Sequence, residues 1–357
     1  MRILNFGRTM GTGGAEKVML QLVSLQRQQH MESWVCTSGG KHVEELKTMG
    51  IDHVTIPDID DKNPVRMIKI LIILYKTINI NHIQVVHTHH RMAAFYIRLL
   101  NFLHVIHVRQ INTQHNVFKD KKFLTHFALG DSENIAVGNG VKQNLIDDFK
   151  IDPKKVRVIY NSVKPPIQDK HDNIIHDKKM TVVSIGRLSR QKGMTYFIQA
   201  AEIIKKITHD QIIFRIVGDG ELESTLKAEI EQRDVQDICK LVGYTADTFS
   251  EIQAANLVVQ SSLWEGLPLT PIESFACARP VIASDILGNN ELVKNGDNGF
   301  LVPKRNAEKI AEAIIALYNN PKMLQQMSNN ALKTYTNVFS FERFCLKYID
   351  LYEEVLN

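Results

Sequence analysis

Cysteine is scarce in the 357-residue sequence and never occurs in a metal-binding or disulfide-forming pattern. The four cysteines are scattered without any CxxC spacing, at Cys36, Cys239, Cys277 and Cys345. Disulfide-rich secreted domains and structural zinc sites both need closely repeated cysteines. We therefore expect a protein of a reducing cytoplasm that has neither kind of cross-link.

Long apolar runs are also missing. The longest, at residues 68–80 and 92–108, are interrupted by lysine, arginine or histidine. A membrane-crossing helix needs about 20 predominantly apolar residues, so neither run is expected to span a bilayer. The first residues are not typical of a signal peptide, because a short apolar run leads directly into glycines. These absences predict a cytoplasmic protein.

Positive charge is concentrated in the first half of the chain. The net charge is +4, but residues 1–165 hold 22 Lys and Arg against 14 Asp and Glu, together with 11 of the 14 histidines. The sequence has no nucleic-acid-binding module and no aromatic–basic ladder, so we expect no nucleic-acid partner. An anionic membrane surface or a phosphorylated substrate fits the charge better.

Short β-branched runs alternate with helical patterns along the whole chain, which predicts parallel sheets built from βαβ units. In the first half we predict strands at residues 2–6, 34–37, 53–56, 84–87 and 104–110. In the second half we predict strands at 181–185, 212–217, 240–242, 257–260, 280–283 and 299–302. A polar stretch at 164–179 is interpreted as a linker. The expected fold is α/β, with two Rossmann-like domains facing a cleft, at residues 1–164 and 165–337.

Two common nucleotide-binding fingerprints are missing from the glycine-rich residues 7–16. Glu16 stands where the dinucleotide fingerprint requires glycine, and there is no Walker lysine. One interpretation is a tight turn between strand and helix. The other is that Gly13 and Gly14 let a substrate approach the start of the helix.

A second glycine turn, at residues 184–193, carries cations. Arg187 follows the strand-ending Gly186, and Lys192 precedes Gly193 and a new helix. A guanidinium fork and an ammonium beside free helix N–H groups suit a diphosphate. The alternative is a solvated basic loop, and Arg190 is expected to be solvated in either case.

Residues 262–276 place Glu265 and Glu273 eight positions apart. Gly266 and Pro268 interrupt any helix between them, which puts Glu265 on a loop. Thr270 then resembles a helix cap, and Glu273 three residues later completes a capping box. The alternative is that the helix start faces a ligand, with the Glu265 loop folded over it.

Histidines cluster where two predicted strands end. His87 and His89 share a strand face, and either metal binding, cleft lining or core packing would explain them, while His115 follows the next strand. No partner carboxylate is evident, so no metal is expected. Asp58 and Asp60 have the spacing of a manganese motif of sugar transferases, but their loop between two prolines favours a solvated turn.

The apolar segment 66–76 contains Arg66, Lys69 and Lys76. It could lie on an anionic membrane surface or pack one face into the core. The tail, 339–356, has the pattern of an amphipathic helix.

Taken together, these motifs resemble the retaining glycosyltransferases of family four, which have the two-domain GT-B architecture. The matching segments are residues 13–16, 186–193, 217–220, the Glu265–Glu273 pair, 279–284 and 295–302. The resemblance also implies that a final helix, 338–357, crosses back to complete the first domain. Two segments depart from the family pattern, at 277–280 and at 287–290.

The resemblance implies roles for individual residues. Glu273 would accept hydrogen bonds from the ribose hydroxyls, Arg187 and Lys192 would hold the diphosphate, and His115 would lie near the anomeric carbon, with Glu265 near the sugar. The acceptor side would comprise Gly13, Gly14, His87 and His89. The donor side would comprise Gly186, Arg187, Lys192, Gly218, Glu265, Gly266, Leu267, Pro268, Leu269, Thr270 and Glu273.

The implied activity is transfer of a sugar, from a UDP-hexose or UDP-N-acetylhexosamine, to a lipid-linked saccharide with retained configuration. It would need no metal or other cofactor and would take place at the inner face of the cell membrane, in polysaccharide assembly. The alternatives are a sugar-nucleotide epimerase of the same architecture and a nucleotide-sugar-binding protein without turnover.

Overall fold

The computed structural model describes residues 1–166, 179–208 and 211–356, and the chain forms two compact units. The first unit comprises Met1–Asn161 and Phe344–Asn357, and the second comprises Ser162–Arg343. The sequence placed the domain boundaries a few residues away, at 164/165 and 337/338. Most of the predicted linker, residues 167–178, lies outside the described residues.

The described residues of the first unit contain one sheet of seven parallel strands. Its spatial order is β3-β2-β1-β4-β5-β6-β7. The strands are β1 (Arg2–Phe6), β2 (Glu32–Thr37), β3 (Asp52–Thr55), β4 (Val85–Thr88), β5 (Arg109–Gln114), β6 (Glu133–Ala136) and β7 (Val156–Val158).

Helices cover both faces of this sheet. They are α1 (Gly14–Gln28), α2 (Val43–Thr48), α3 (Pro64–Ile80), α4 (Arg91–Phe102), α5 (Lys122–Leu129) and α6 (Asn139–Asp147). Cys36 packs with α3 and α4 while its neighbour Val35 packs with α1 and α2. Successive strand residues point to opposite faces, so the helices form two layers.

One predicted strand of the first half is wrong, and two strands were missed. Helix α4 continues to Phe102 and ends in a turn where His104 has a φ of 56°, so residues 104–108 are not in a strand and β5 begins only at Arg109. The missed strands, β6 and β7, have only four and three residues. In β6 only Ile135 is β-branched, and β7 has only three residues, so neither shows the β-branched run that marks the other strands.

The described residues of the second unit form a six-stranded parallel sheet in the order β10-β9-β8-β11-β12-β13. Its six predicted strands are confirmed to within one residue or two at each end. The strands are β8 (Met180–Ile185), β9 (Ile212–Val217), β10 (Cys239–Gly243), β11 (Leu257–Gln260), β12 (Val281–Ser284) and β13 (Gly299–Val302). The helices are α7 (Met194–Thr208), α8 (Glu223–Gln232), α9 (Thr248–Gln253), α10 (Leu269–Ala276), α11 (Asn289–Leu292), α12 (Ala307–Tyr318) and α13 (Pro321–Thr334).

The last helix, α14 (Phe341–Leu356), belongs to the first unit from Phe344 onward. Its predicted amphipathic face is confirmed, because Phe344, Tyr348, Leu351, Tyr352 and Val355 are buried. Among the residues that the structure describes, no helix has both the length and the apolarity needed to cross a membrane.

Each sheet has one point at which the strand order reverses. In the first unit this is the pair β1 and β4, and in the second it is the pair β8 and β11. The crossovers leave such a pair in opposite directions and open a crevice beyond the carboxyl ends of the strands, where ligands of open α/β sheets bind. The glycine loop follows β1 and His89 follows β4, while the Arg187 and Glu265 loops follow β8 and β11.

Candidate active site

Two loops of the second unit are joined by hydrogen bonds beyond β8 and β11. The Leu263 N–H donates to the Gln191 carbonyl at 2.8 Å. The Ser261 hydroxyl donates to the carbonyls of Lys192 and Gly193 at 3.1 and 3.0 Å. The loop that carries Lys192 is therefore held against the loop that carries Glu265.

Two glycines make this close approach possible. Gly193 has a φ of 60°, and a side chain there would collide with the Ser261 carbonyl. Gly218, which follows β9, has a φ of 147°, and a side chain there would collide with the Gly186 carbonyl. Glycine adopts these conformations without steric cost. The predicted donor residues Gly186 and Gly218 thus lie side by side.

Glu265 is the centre of a buried polar network. Its Oε1 accepts hydrogen bonds from the Lys192 ammonium at 2.6 Å, the Ser262 hydroxyl at 2.7 Å and the Gln260 amide at 3.0 Å. Its Oε2 accepts from the Gln191 amide at 3.2 Å. The Glu265 and Lys192 side chains are only 7% and 18% exposed. In this structure Glu265 fixes the ammonium of Lys192, and its partners Gln191, Gln260 and Ser262 were missed by sequence reasoning.

Arg187 lies on the same loop but in a different environment. Its side chain is exposed and, within the described ranges, has no carboxylate partner. Arg190 is likewise exposed, as predicted. A guanidinium without a protein partner keeps its fork of donors available for an anion.

The capping-box interpretation of Glu273 is wrong. Helix α10 begins at Leu269 with Pro268 as its cap, so Thr270 is already the second helical residue and Glu273 the fifth. Pro268 has the extended conformation (φ −70°, ψ 142°) that suits the residue before a helix. Glu273 lies one turn too far along to return to the cap, yet its side chain is 3% exposed.

The backbone at the start of α10 offers fewer donors than the sequence interpretation assumed. Pro268 has no N–H and cannot donate to a sugar.

The turn after β12 packs closely against the loop that carries Glu265, because a side chain at Gly288 would collide with the Gly266 carbonyl. Trp264, immediately before Glu265, is 53% exposed.

In the first unit, an arginine of the glycine loop after β1 is paired with two aspartates. Arg8 forms a two-pronged contact with Asp58, at 2.9 and 2.8 Å, and an ion pair with Asp60 at 2.7 Å. This guanidinium lowers the pKa of Asp58. The predicted solvated turn is therefore an ion-paired loop. Within the described residues, no cluster of three or more His, Cys, Asp and Glu could hold a metal ion.

Gly13 and Gly14 form the start of α1, as the cap and the first helical residue. Glu16 folds back over them, because a side chain at Gly13 would collide with its carboxylate. The Thr9 hydroxyl holds the other Glu16 oxygen at 2.7 Å. A ligand approaching Gly13 would meet a carboxylate as well as backbone.

The predicted contact between His87 and an acceptor is wrong. His87 is fully buried, and its Nδ1 and Nε2 are hydrogen-bonded to the Tyr352 hydroxyl and the Thr113 hydroxyl, both at 2.8 Å. Neither ring nitrogen is left for a ligand. Core packing, one of the three interpretations, is what the structure shows. Tyr352, on a helix far along the chain, could not have been paired with His87 from the sequence.

His89 and His115 lie together above His87. His89 Nδ1 is 3.3 Å from His115 Nε2, and the rings of His87 and His89 are stacked with centroids 4.3 Å apart. Burial lowers the pKa of His87 to about 3 and that of His115 to about 4, and it holds the pKa of His89 well below its usual value. All three imidazoles are therefore neutral at pH 7.

Sequence profiles of two glycosyltransferase families match the two halves of the chain. The profile of glycosyltransferase family 4 matches residues 12–165, and that of glycosyl transferases group 1 matches residues 167–334. A UDP-Gal:alpha-D-GlcNAc-diphosphoundecaprenol alpha-1,3-galactosyltransferase of Escherichia coli is 31% identical over 82% of this chain and 81% of its own length. The chain belongs to glycosyltransferase family 4.

A further relative and two solved structures are also similar to the chain. A poly(ribitol-phosphate) alpha-N-acetylglucosaminyltransferase of Staphylococcus aureus is 25% identical over 74% of this chain and 52% of its own length. A glycosyltransferase from Rickettsia africae superposes with a TM-score of 0.85 at 22% identity, covering 100% of this chain and 98% of its own. HepE of Anabaena, solved with UDP-glucose, superposes with a TM-score of 0.85 at 18% identity, covering 99% of this chain and 100% of its own. The predicted GT-B fold is thereby confirmed for this family 4 chain.

Proposed function

We propose that this glycosyltransferase transfers a hexose or N-acetylhexosamine from a UDP-sugar to a lipid-linked saccharide in the assembly of a cell-surface glycan. The observation that carries the proposal is the loop pair in which Lys192 is fixed by Glu265, close in sequence to the exposed side chain of Arg187. The Escherichia coli relative, named for a UDP-Gal donor and a diphosphoundecaprenol acceptor, supports both substrate classes.

The diphosphate is the leaving group, so negative charge grows on it as the sugar departs. Arg187 offers a planar fork of donors, and Lys192 offers an ammonium that its network already holds in place. Donors fixed where charge develops stabilise the transition state without reorganising. Arrival of the diphosphate would let Lys192 share its protons between Glu265 and a phosphate oxygen.

The nucleoside would be held by Glu273. Its buried carboxylate lies on α10, immediately after the loop of Glu265. Two vicinal ribose hydroxyls can both donate to one carboxylate, which accepts and never donates when ionised. The position of the helix start removes the capping box as an alternative role for Glu273.

Transfer would occur with retention. The bond between the acceptor oxygen and the anomeric carbon forms on the face from which the diphosphate leaves, and the acceptor proton passes to the departing phosphate oxygen. The relatives' names give alpha products, which supports this outcome. His115, neutral at pH 7, would hydrogen-bond the sugar. Arg187 and Lys192 would supply the charge stabilisation, so no metal is required.

The exposed face of α3 would contact the membrane. Val65, Ile68, Ile72 and Tyr75, spaced three or four residues apart, are between 45% and 74% exposed. Lys62, Arg66, Lys69 and Lys76 lie on or next to the same helix and are also exposed. An apolar stripe flanked by cations is typical of helices that lie on anionic lipid. We call Val65, Ile68, Ile72 and Tyr75 the α3 stripe.

The substrate proposal is tested with a panel of UDP-, GDP- and ADP-sugars. A sugar nucleotide at 100 times its dissociation constant should stabilise the protein by about 2.7 kcal/mol, and we expect this only for a UDP-sugar. Transfer is then measured with a synthetic lipid diphosphate saccharide. Turnover of the donor into an epimer without acceptor would indicate an epimerase, and binding with neither transfer nor slow donor hydrolysis would indicate a binding protein.

A further inference from the structure

The carboxyl-terminal helix α14 places two tyrosine hydroxyls in the interior of the first unit. Tyr348 and Tyr352 are 0% and 1% exposed. A buried hydroxyl costs free energy unless it is hydrogen-bonded, and phenylalanine would fill the same space without that cost. Both hydroxyls do find partners: Tyr352 bonds His87 and Gln26, and Tyr348 bonds Thr113 at 3.2 Å. These hydrogen bonds suggest that the tyrosine hydroxyls orient the side chains to which they are bonded.

The direction of the hydrogen bonds at Tyr352 follows from a chain of amides. Asn5 Nδ2 donates to the Trp34 carbonyl at 3.4 Å and to Gln26 Oε1 at 2.8 Å. Gln26 Oε1 also accepts from the Ser33 hydroxyl at 2.8 Å, and Gln26 Nε2 donates to Asn5 Oδ1 at 3.2 Å and to the Tyr352 hydroxyl at 2.7 Å. The Tyr352 oxygen is thus an acceptor from Gln26, and its only proton remains for His87.

This direction determines where His87 carries its proton. Tyr352 donates to His87 Nδ1, so Nδ1 is bare and the proton of the neutral ring lies on Nε2, which donates to the Thr113 hydroxyl at 2.8 Å. The other nitrogen's partner sets the tautomer of a histidine in this way. Burial, which lowers the pKa of His87 to about 3, keeps the ring neutral.

His87 in turn supports the two histidines above it. Its ring stacks on His89 at an angle of 30°, and the His89 and His115 rings are inclined by only 25° with centroids 5.6 Å apart. A rotation of the His87 ring, which losing either of its hydrogen bonds would allow, would displace His89 and with it the nitrogen bonded to His115.

We propose that Tyr352 is a positioning residue: its hydroxyl locks His87 as the Nε2–H tautomer, and the locked ring fixes the orientation of the His89–His115 pair. The role of His115 toward the substrate rests on the proposed function. The lock itself is a property of the first unit and can be tested without substrate.

The first test is nitrogen NMR on protein labelled with ¹⁵N-histidine, with the His87 signals assigned through His87→Asn. We expect a protonated Nε2 and a bare Nδ1 at His87 in the wild type. Tyr352→Phe should abolish this single tautomer. Tyr348→Phe is the matched control, because it removes the same atom one turn earlier on α14 from a hydroxyl that bonds Thr113 and no histidine. A protonated Nδ1 in the wild type, or an unchanged spectrum in Tyr352→Phe, would overturn the proposal.

The second test is kinetic. Tyr352→Phe should lower kcat about 10- to 100-fold, the range for a misplaced catalytic geometry, while the UDP dissociation constant stays within about twofold. Tyr348→Phe should retain kcat within about threefold. A lost tautomer with normal kcat would overturn the positioning role. A wild type that turns over no sugar nucleotide would overturn the proposed function and that role with it, while the nitrogen spectra would still decide the tautomer.

Discussion

Individual cations of the second unit differ in what holds them. Lys192 is fixed by the buried carboxylate of Glu265, whereas Arg187 and Arg190 are exposed on the same short loop. An exposed cation can attract the diphosphate either through a direct hydrogen bond or only through its field, which salt screens. Substituting each cation in turn distinguishes a direct hydrogen bond to the diphosphate from a general effect of positive charge.

We predict that Arg187→Ala and Lys192→Met each weaken UDP binding by about 1.5 to 3 kcal/mol, the range for hydrogen bonds to charged groups. Arg190→Ala removes the same charge from the same loop and should change the affinity by no more than about twofold. Isothermal titration with UDP measures all three. Equal losses in Arg187→Ala and Arg190→Ala would show that a general field, and no specific contact, attracts the diphosphate.

Glu273 provides the second prediction at this scale. Glu273→Gln keeps the shape but replaces one acceptor with an NH₂ donor, which would face a ribose hydroxyl in a buried place. Donor affinity should fall about tenfold or more, while the melting temperature of the free protein changes by only a few degrees. With 2′,3′-dideoxy-UDP the two proteins should bind alike. A large loss of stability with normal donor affinity would assign Glu273 to the fold alone.

Among the elements, α3 combines a core face with an exposed apolar face. Ile70, Leu74 and Ile78 are buried against the sheet, and the α3 stripe lies on solvent between basic residues. The sequence left two interpretations open, core packing and surface binding, and the structure shows that one helix has residues for both.

We predict that the protein sediments with anionic vesicles and that binding falls steeply between low and high salt, because screening weakens the basic contacts. Ile72→Gln should reduce sedimentation severalfold at fixed salt. Ile207→Gln, which replaces a comparably exposed apolar residue on α7 of the second unit, is the control and should bind like the wild type. Equal binding to neutral vesicles would contradict an electrostatic membrane contact.

At the scale of the whole molecule, the buried His87 and His89 and the half-buried His115 make stability depend on pH. The pKa values of His87, His89 and His115 are lowered in the folded protein because burial disfavours imidazolium. The unfolded chain therefore takes up protons first as the pH falls below about 6.5, the ordinary histidine value, and acid favours unfolding. The contribution of the neutral imidazoles to the free energy of unfolding is complete above that pH and is lost progressively toward pH 4 and below.

Melting temperatures measured from pH 7.5 to pH 4.5 should accordingly fall on the acid side. His89→Asn should make this fall shallower, since one neutral buried imidazole is gone, whatever it does to the melting temperature at pH 7.5. His82→Asn, at an exposed histidine, should leave the pH dependence of the wild type unchanged. An unaltered slope in His89→Asn would mean that other groups cause the acid sensitivity.

The sequence by itself determined the elements whose signals are local. The alternation of apolar residues located most strands, the glycine turns located the loops beyond the sheets, and the contiguous motifs around Gly13, Lys192 and Glu265 identified the family. These features depend on backbone preferences and on side chains a few residues apart, which a linear sequence displays directly. Where the local signal was weak, as in β6 and β7, prediction failed.

The tertiary structure alone decided which distant residues meet. Lys192 and Glu265 are 73 positions apart, and His87 and Tyr352 are 265 apart. Their contacts result from the order of the strands and from the return of α14 to the first unit, which no local pattern encodes. For that reason the sequence could name Glu265 and His87 as candidates, but only the packed sheets and helices showed that the first holds a lysine and the second is held by a tyrosine.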